Sequence, residues 1–503
     1  MTVKEAISEL TLLQKKMHAL GHATGMIYLD SVTTAPVGTA EGRGETMGIL
    51  SSMGYELFAN PATEKLLKFL SDHEDELTEQ QKREVVVLTR EYERTSKIPQ
   101  DEYVAFRVLV NEAQSVWHKA KDQDDFPAFA PYIEKIVATL KKFAAYYKPD
   151  EEPYNVWLDQ YERGLTMSTL DEFFAVLKET IVPLIHRIKN EGRQIDDSFL
   201  HGHFPIEKQR EFSDYLMEVM AIDRSHCGIG ETEHPFTIDF NKRDVRITTK
   251  YHEDNLVSSM FSVIHEGGHA LYELGKGDEL MYTCLDSGIS MGIHESQSRF
   301  FENIVGRSEA FVNLIYPKVQ ELFPEQLGNI DAHQFYLAIN KSEPSLIRID
   351  ADELTYCLHV MVRYEIEKML FSGDVDVYEL PDVWGRLMKE YLGVDVPNDK
   401  SGVLQDSHWS GGSFGYFPSY AIGTAYSAQI AHRMEQDLNI DSEITSGSLK
   451  GIVNWLEEHI YKYGSMYDPA DLFFRCCGEK FDPKYFTDYL TKKFTKIYDL
   501  NQG

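Results

Sequence analysis

The stretch Phe261–Tyr272 contains His265, Glu266 and His269 in the spacing His-Glu-x-x-His. On a helix the two histidines lie one turn apart on one face, so their imidazoles converge on a single metal ion. Glu266, offset by one residue, reaches a water at that ion instead of the ion itself, which suits it for general-base work. A chain with 18 histidines also produces this pattern by accident, so context decides its meaning. A catalytic zinc takes three protein ligands and keeps a fourth position open. The third candidate is Glu295, within His294-Glu295-Ser296-Gln297-Ser298-Arg299 and 26 residues beyond His269. That interval leaves room for one helix to end, a loop to reverse and a second helix to run back. Arg299, four residues on, is placed to hold the Glu295 carboxylate, and Glu302 follows on roughly the same face. Two imidazoles and a carboxylate suit zinc or cobalt. Tyr272 and Gly275 stand where a metzincin would have glycine and histidine, which excludes that class. Gly267 and Gly268 each lower helix propensity by about 1 kcal/mol relative to alanine, which points to something packed close against that face.

The elements that must position these residues are mostly helical. Val3, Ile7, Leu10, Leu13, Met17 and Leu20 recur at helical spacing, and Pro36 with nearby glycines breaks the chain before a second helix near Glu45. The same period runs to about residue 190, with Ser168 read as the N-cap of one of these helices. Phe236–Phe240 and Val245–Thr249 alternate apolar and polar about the turn residues Asn241–Asp244, the pattern of a β-hairpin whose edge is suited to an extended peptide. Helices resume after the motif, interrupted by a Gly-rich stretch between Lys400 and Tyr420 that concentrates polar and aromatic side chains.

With 43% hydrophobic residues the 503-residue chain supports a substantial core. It reads as one domain, 1–503, loosely an N-terminal helical lobe (1–195) and a catalytic part (196–503). Five scattered cysteines form no disulfide framework and fit a reducing cytoplasm. The beginning lacks a signal peptide's pattern, and no apolar run reaches the roughly 20 residues that span a bilayer, so a cytoplasmic location is expected. A net charge of −31 disfavours nucleic acid and anionic membrane as partners.

Six motifs in order carry a resemblance: His234-Pro-Phe236, Asp244-Val-Arg246-Ile-Thr248, His265-Glu-Gly-Gly-His269, His294-Glu295-Ser-Gln-Ser-Arg299, Ile347-Arg348-Ile-Asp350-Ala-Asp352-Glu353 and Gly402-Val-Leu-Gln405-Asp406-Ser-His408-Trp409. In these the chain resembles the carboxypeptidase Taq family of thermostable zinc metallocarboxypeptidases. An N-terminal block of Asp30, Thr34, Pro36, Gly38 and Arg43 is similar too, although Ala35 stands where methionine is expected. The resemblance implies a large, mostly α metallopeptidase with a deep groove, a small β-sheet beside the motif helix, and a homodimer. It implies release of single C-terminal residues from peptides with broad specificity, proline excepted, through a metal-activated water and Glu266 as base. Arginine is the side chain best shaped to bind a free carboxylate. Arg348, followed by acidic residues suited to orient it, is the first candidate and Arg246 the second. Tyr420 and His234 are candidate donors to the oxyanion or substrate. An oligopeptidase or dipeptidyl carboxypeptidase fits the same ligand set, and a non-catalytic peptide- or metal-binding protein is the alternative from another class.

Overall fold

The computed structural model describes residues 1–501. Apolar residues at three- and four-residue intervals make helices of almost every segment, and these pack into two apolar cores. The smaller core lies among the first four long helices and joins Ala6, Leu10 and Leu13 to Phe58, Leu66, Leu70 and Leu88. The larger runs continuously from Ile98 to Leu500.

The first helix extends over Val3–Thr33, capped by a reciprocal Thr2–Glu5 pair, and so continues through Gly21 and Gly25. The break falls at residues 34–39, and the second helix starts at Ala40, five residues before the expected Glu45. Thr166, not Ser168, caps the Met167–Glu191 helix, because its hydroxyl accepts the Thr169 N–H.

The hairpin forms as read: β2 (Thr237–Asn241) pairs antiparallel with β3 (Asp244–Thr249). A further strand, β1 (Cys227–Glu231), pairs parallel to β3 and makes the order β1-β3-β2, which leaves β2 on an edge. The sheet packs on the motif helix, Leu256–Leu274, whose N-terminus is capped by the Asn255 side chain on the Ser258 N–H. The chain then reverses and enters the second site helix, Met291–Arg299, which continues unbroken as a π-helical turn over Phe300–Gly306. Two further helices complete the frame, Tyr356–Ser372 and the almost wholly buried Phe417–Met434.

Glycine explains how closely the Met291–Arg299 helix is held. A Cβ on Gly268 would lie 2.7 Å from both Gln297 O and Ser298 Cα, and one on Gly423 would lie 2.7 Å from Glu295 Cβ and from Gly292 O. The helix bearing Glu295 is thus gripped from two sides by helices that approach it without side chains. Gly267 meets the tip of Met220 instead. The close approach expected from the paired glycines is present, and its occupant at Gly268 is backbone. All five cysteines are free thiols, as expected. No helix among the described residues is long and apolar enough to cross a membrane.

Candidate active site

His265, His269 and Glu295 converge, with one donor atom from each lying within 4.8 Å of the others. Glu295 Oε2 stands 3.7 Å from His265 Nε2 and 3.5 Å from His269 Nε2. Donors bound tetrahedrally to one zinc at about 2.0–2.1 Å stand about 3.4 Å apart, so the cluster fits the ion with little adjustment. Both motif histidines come from one helix face, and Glu295 comes from the helix running back beside it.

Each of the three side chains is itself held. Arg299 donates through Nε to Glu295 Oε1 at 2.7 Å, which leaves Oε2 turned towards the imidazoles. Burial pushes the Glu295 carboxyl up, but Arg299, His265 and His269 outweigh it and keep its pKa well below the usual range. The Nδ1 of His265 lies 2.8 Å from Glu302 Oε2, which also accepts from Arg299 at 3.1 Å. Glu302 is likewise pushed up by burial and pulled down further by Arg299 and His265, to about 2. An ionised Glu302 accepts a hydrogen bond from the His265 Nδ1–H, and this tautomer leaves Nε2 free for a metal.

His269 is oriented differently. Its Nδ1 lies 2.6 Å from His294 Nδ1, and His294 Nε2 lies 2.6 Å from Glu273 Oε1. Glu273 pairs with the fully buried Lys276, which also meets Asp239 at 3.1 Å and Asp286 at 3.0 Å. One assignment of protons satisfies this chain: His269 donates to His294, His294 donates to Glu273, and Nε2 of His269 stays free. His294 is therefore a link in the site.

Glu266 is 7% exposed, and its Oε2 accepts a 2.6 Å hydrogen bond from the hydroxyl of Thr237 on β2. Arg299 serves Glu295 as the spacing suggested. Arg348 is buried, but its acidic partner is Asp406, which accepts from its Nη2 at 2.7 Å and its Nε at 3.1 Å. The nearby acids do other work. Asp352 accepts the Leu354 and Thr355 N–H groups, and Glu353 pairs with Lys493. Arg363 also binds Asp406, and Gln405 Oε1 accepts from both the Arg348 N–H and Arg363. Two buried arginines against one aspartate leave a surplus positive charge there. The Arg348 guanidinium lies 5.2 Å from the Tyr420 ring and 3.3 Å from the Tyr356 hydroxyl, and the Tyr356 ring lies 4.2 Å from the Arg299 guanidinium. Arg348 is thus one aromatic ring away from the residue that holds Glu295. The Tyr420 hydroxyl lies 3.4 Å from His408 Nε2. Arg246 sits on β3 in a bidentate pair with Asp244, and His234 is exposed. Among the described residues neither makes a hydrogen bond or ion pair with His265, His269 or Glu295.

Sequence reasoning missed the roles of Glu302, His294, Glu273, Lys276, Thr237, Asp406 and Arg363. Glu302 left a signal in its place on the Glu295–Arg299 face, and His294 and Asp406 in standing within two of the quoted motifs; Thr237 and Arg363 act across the fold.

Comparison with known proteins agrees with this geometry. The chain is 40% identical to carboxypeptidase 1 of Bacillus subtilis (strain 168), over 97% of this chain and 98% of that protein. It is 35% identical to thermostable carboxypeptidase 1 of Thermus thermophilus, over 99% and 100%. The crystal structure of an M32 carboxypeptidase from Deinococcus radiodurans R1 superposes with a TM-score of 0.96 at 32% identity, covering 99% of this chain and all of that one. The family model of the carboxypeptidase Taq (M32) metallopeptidases matches residues 9–494, and the chain belongs to that family.

Proposed function

We propose that the protein is a zinc carboxypeptidase that removes single residues from peptide C-termini. The observation that carries this reading is the His265–His269–Glu295 cluster with Glu266 beside it and the surplus-positive Arg348 site one ring away. His265, His269 and Glu295 would hold the zinc ion, which when bound would supply an acidified water and a Lewis acid for the scissile carbonyl. Glu266 accepts the proton of the attacking water and returns it to the leaving amine. Arg348, steadied by Asp406, holds the terminal carboxylate of the substrate, and its planar fork suits that group. Tyr420, against the same guanidinium, donates to the substrate. Arg246, on the hairpin, is the second candidate for the terminal carboxylate, and His234 a candidate donor to the oxyanion or substrate. The free edge of β2 supplies backbone groups to an extended chain. Broad specificity, cobalt as a competent substitute, a cytoplasmic location and a homodimer belong to the same reading, on the strength of the family likeness.

Two comparisons test it. An N-blocked dipeptide with a free C-terminus is cleaved and its C-terminal amide is not; equal rates on both would favour the oligopeptidase reading and overturn this one. Glu266→Gln keeps its metal and loses roughly a hundred- to ten-thousandfold in kcat, whereas His265→Ala loses both metal and activity. Full turnover by Glu266→Gln would refute the assigned base.

A further inference from the structure

We infer that Thr237 is the positioning residue for Glu266: its hydroxyl clamps one carboxylate oxygen so that the other faces the attacking water. This rests on the proposed role of Glu266. The Thr237 hydroxyl lies 2.6 Å from Glu266 Oε2 and 3.0 Å from the Glu266 backbone oxygen. It has a single proton to give, and the shorter contact to the charged group takes it. The helix already employs the backbone oxygen, within the Leu256–Leu274 ladder. Oε2 is therefore occupied, and Oε1, which accepts from no donor among the described residues, is the oxygen left to receive a proton. A carboxylate beside a metal has a second course open to it, rotation of its side chain onto the ion as a further ligand. The Thr237 bond opposes that rotation, because it ties Oε2 to a strand that cannot follow.

The strand supplies the rigidity. Thr237 opens β2 and is paired opposite Ile247 of the buried strand β3. Its hydroxyl is thus fixed by sheet register and not by a loop, as a group that must hold a base within a fraction of an ångström requires.

Thr237→Val keeps size and strand preference while deleting the hydroxyl. In the zinc-loaded enzyme kcat is expected to fall about ten- to a hundredfold with KM within twofold, and Thr237→Ser restores kcat to within about threefold. Metal content and the absorption spectrum of the cobalt-substituted variant report the ligand set separately, and both are expected to match those of the unaltered protein. A Thr237→Val enzyme with full kcat overturns the assignment, as does a fall in kcat that Thr237→Ser fails to rescue. Glu266→Gln, assayed beside them, separates the two readings. If it is inactive while Thr237→Val is fully active, only the clamp falls; if it is active, the proposed base falls and takes the clamp with it.

Discussion

Alanine at the two adjacent motif glycines should have opposite consequences. Either substitution raises helix propensity by about 1 kcal/mol. At Gly268 the new Cβ would stand 2.7 Å from Gln297 O and Ser298 Cα, against an ordinary contact of about 3.5 Å. These are backbone atoms of the helix that carries Glu295, so the helices must separate by about 0.8 Å. Overpacking of this kind costs about 1–3 kcal/mol, and rigid neighbours place Gly268→Ala at the upper end, about 2 kcal/mol less stable after the propensity gain. The same separation carries Glu295 Oε2 away from its 3.5 and 3.7 Å distances to the histidines. The zinc dissociation constant should then rise on the order of tenfold or more. At Gly267 the obstruction is Met220 Cε at 2.7 Å and Sδ at 3.0 Å, the adaptable end of a flexible side chain. Gly267→Ala should stay within about 1 kcal/mol of the unaltered protein and keep its metal affinity. Urea midpoints of chelator-treated protein and competition with a zinc chelator measure the two effects. A Gly268→Ala protein as stable and as tight as the unaltered one, or a Gly267→Ala protein that is worse, would refute this account of the interface.

Two further outcomes follow from buried partners. Burial pushes Glu162 up to about 7, although it accepts the Gly292 N–H at the start of the Glu295 helix. A carboxyl raised in the folded state binds its proton more tightly there than in the unfolded chain. Its contribution is full below the unfolded value of about 4.3 and is lost as pH rises through about 7, in total about 4 kcal/mol. Glu162→Gln should remove this slope, so thermal melts of the metal-free proteins should diverge in the variant's favour between pH 5 and pH 8; parallel curves would contradict it. His294→Ala frees His269 Nδ1 while leaving Glu273 with Lys276, and should raise the zinc dissociation constant about ten- to a hundredfold, measured by the same chelator competition.

What the sequence made legible was local. His265 and His269 share a helix turn, Arg299 lies one turn after Glu295, and the hairpin strands alternate about a short turn. In each case the periodicity of one element fixes which side chains face the same way. The third strand escaped because Cys227–Glu231 holds two glycines and pairs with β3 in parallel across an intervening stretch. Arg348 shows the same limit. Its sequence neighbours Asp350, Asp352 and Glu353 suggested a local partner, yet the guanidinium finds Asp406, 58 residues away, because both line one buried seam. The Thr237 hydroxyl reached Glu266 without any signal, since a threonine in a strand is ordinary by composition.

The hairpin's place immediately before the motif helix has a physical reason beyond peptide binding. Thr237 and Asp239 are two apart on β2 and therefore point to one side of it. Thr237 bonds the carboxylate of Glu266. Asp239 meets Lys276, which pairs with Glu273, which holds His294, which orients His269. One face of one short strand thus touches the residue proposed as base and the far end of the chain that orients a proposed metal ligand. Buried charges such as Glu273 and Lys276 are tolerated only when partnered, so each member of this network depends on the next being in place. The other motif histidine, His265, is anchored through Glu302 and Arg299, on the same helical stretch that carries His294. Both imidazoles are consequently held by one continuous helical stretch, Met291–Gly306, which the strand braces on the His269 side through Lys276 and Glu273, so the arrangement proposed to bind metal is complete only when sheet and helices are both docked on Leu256–Leu274.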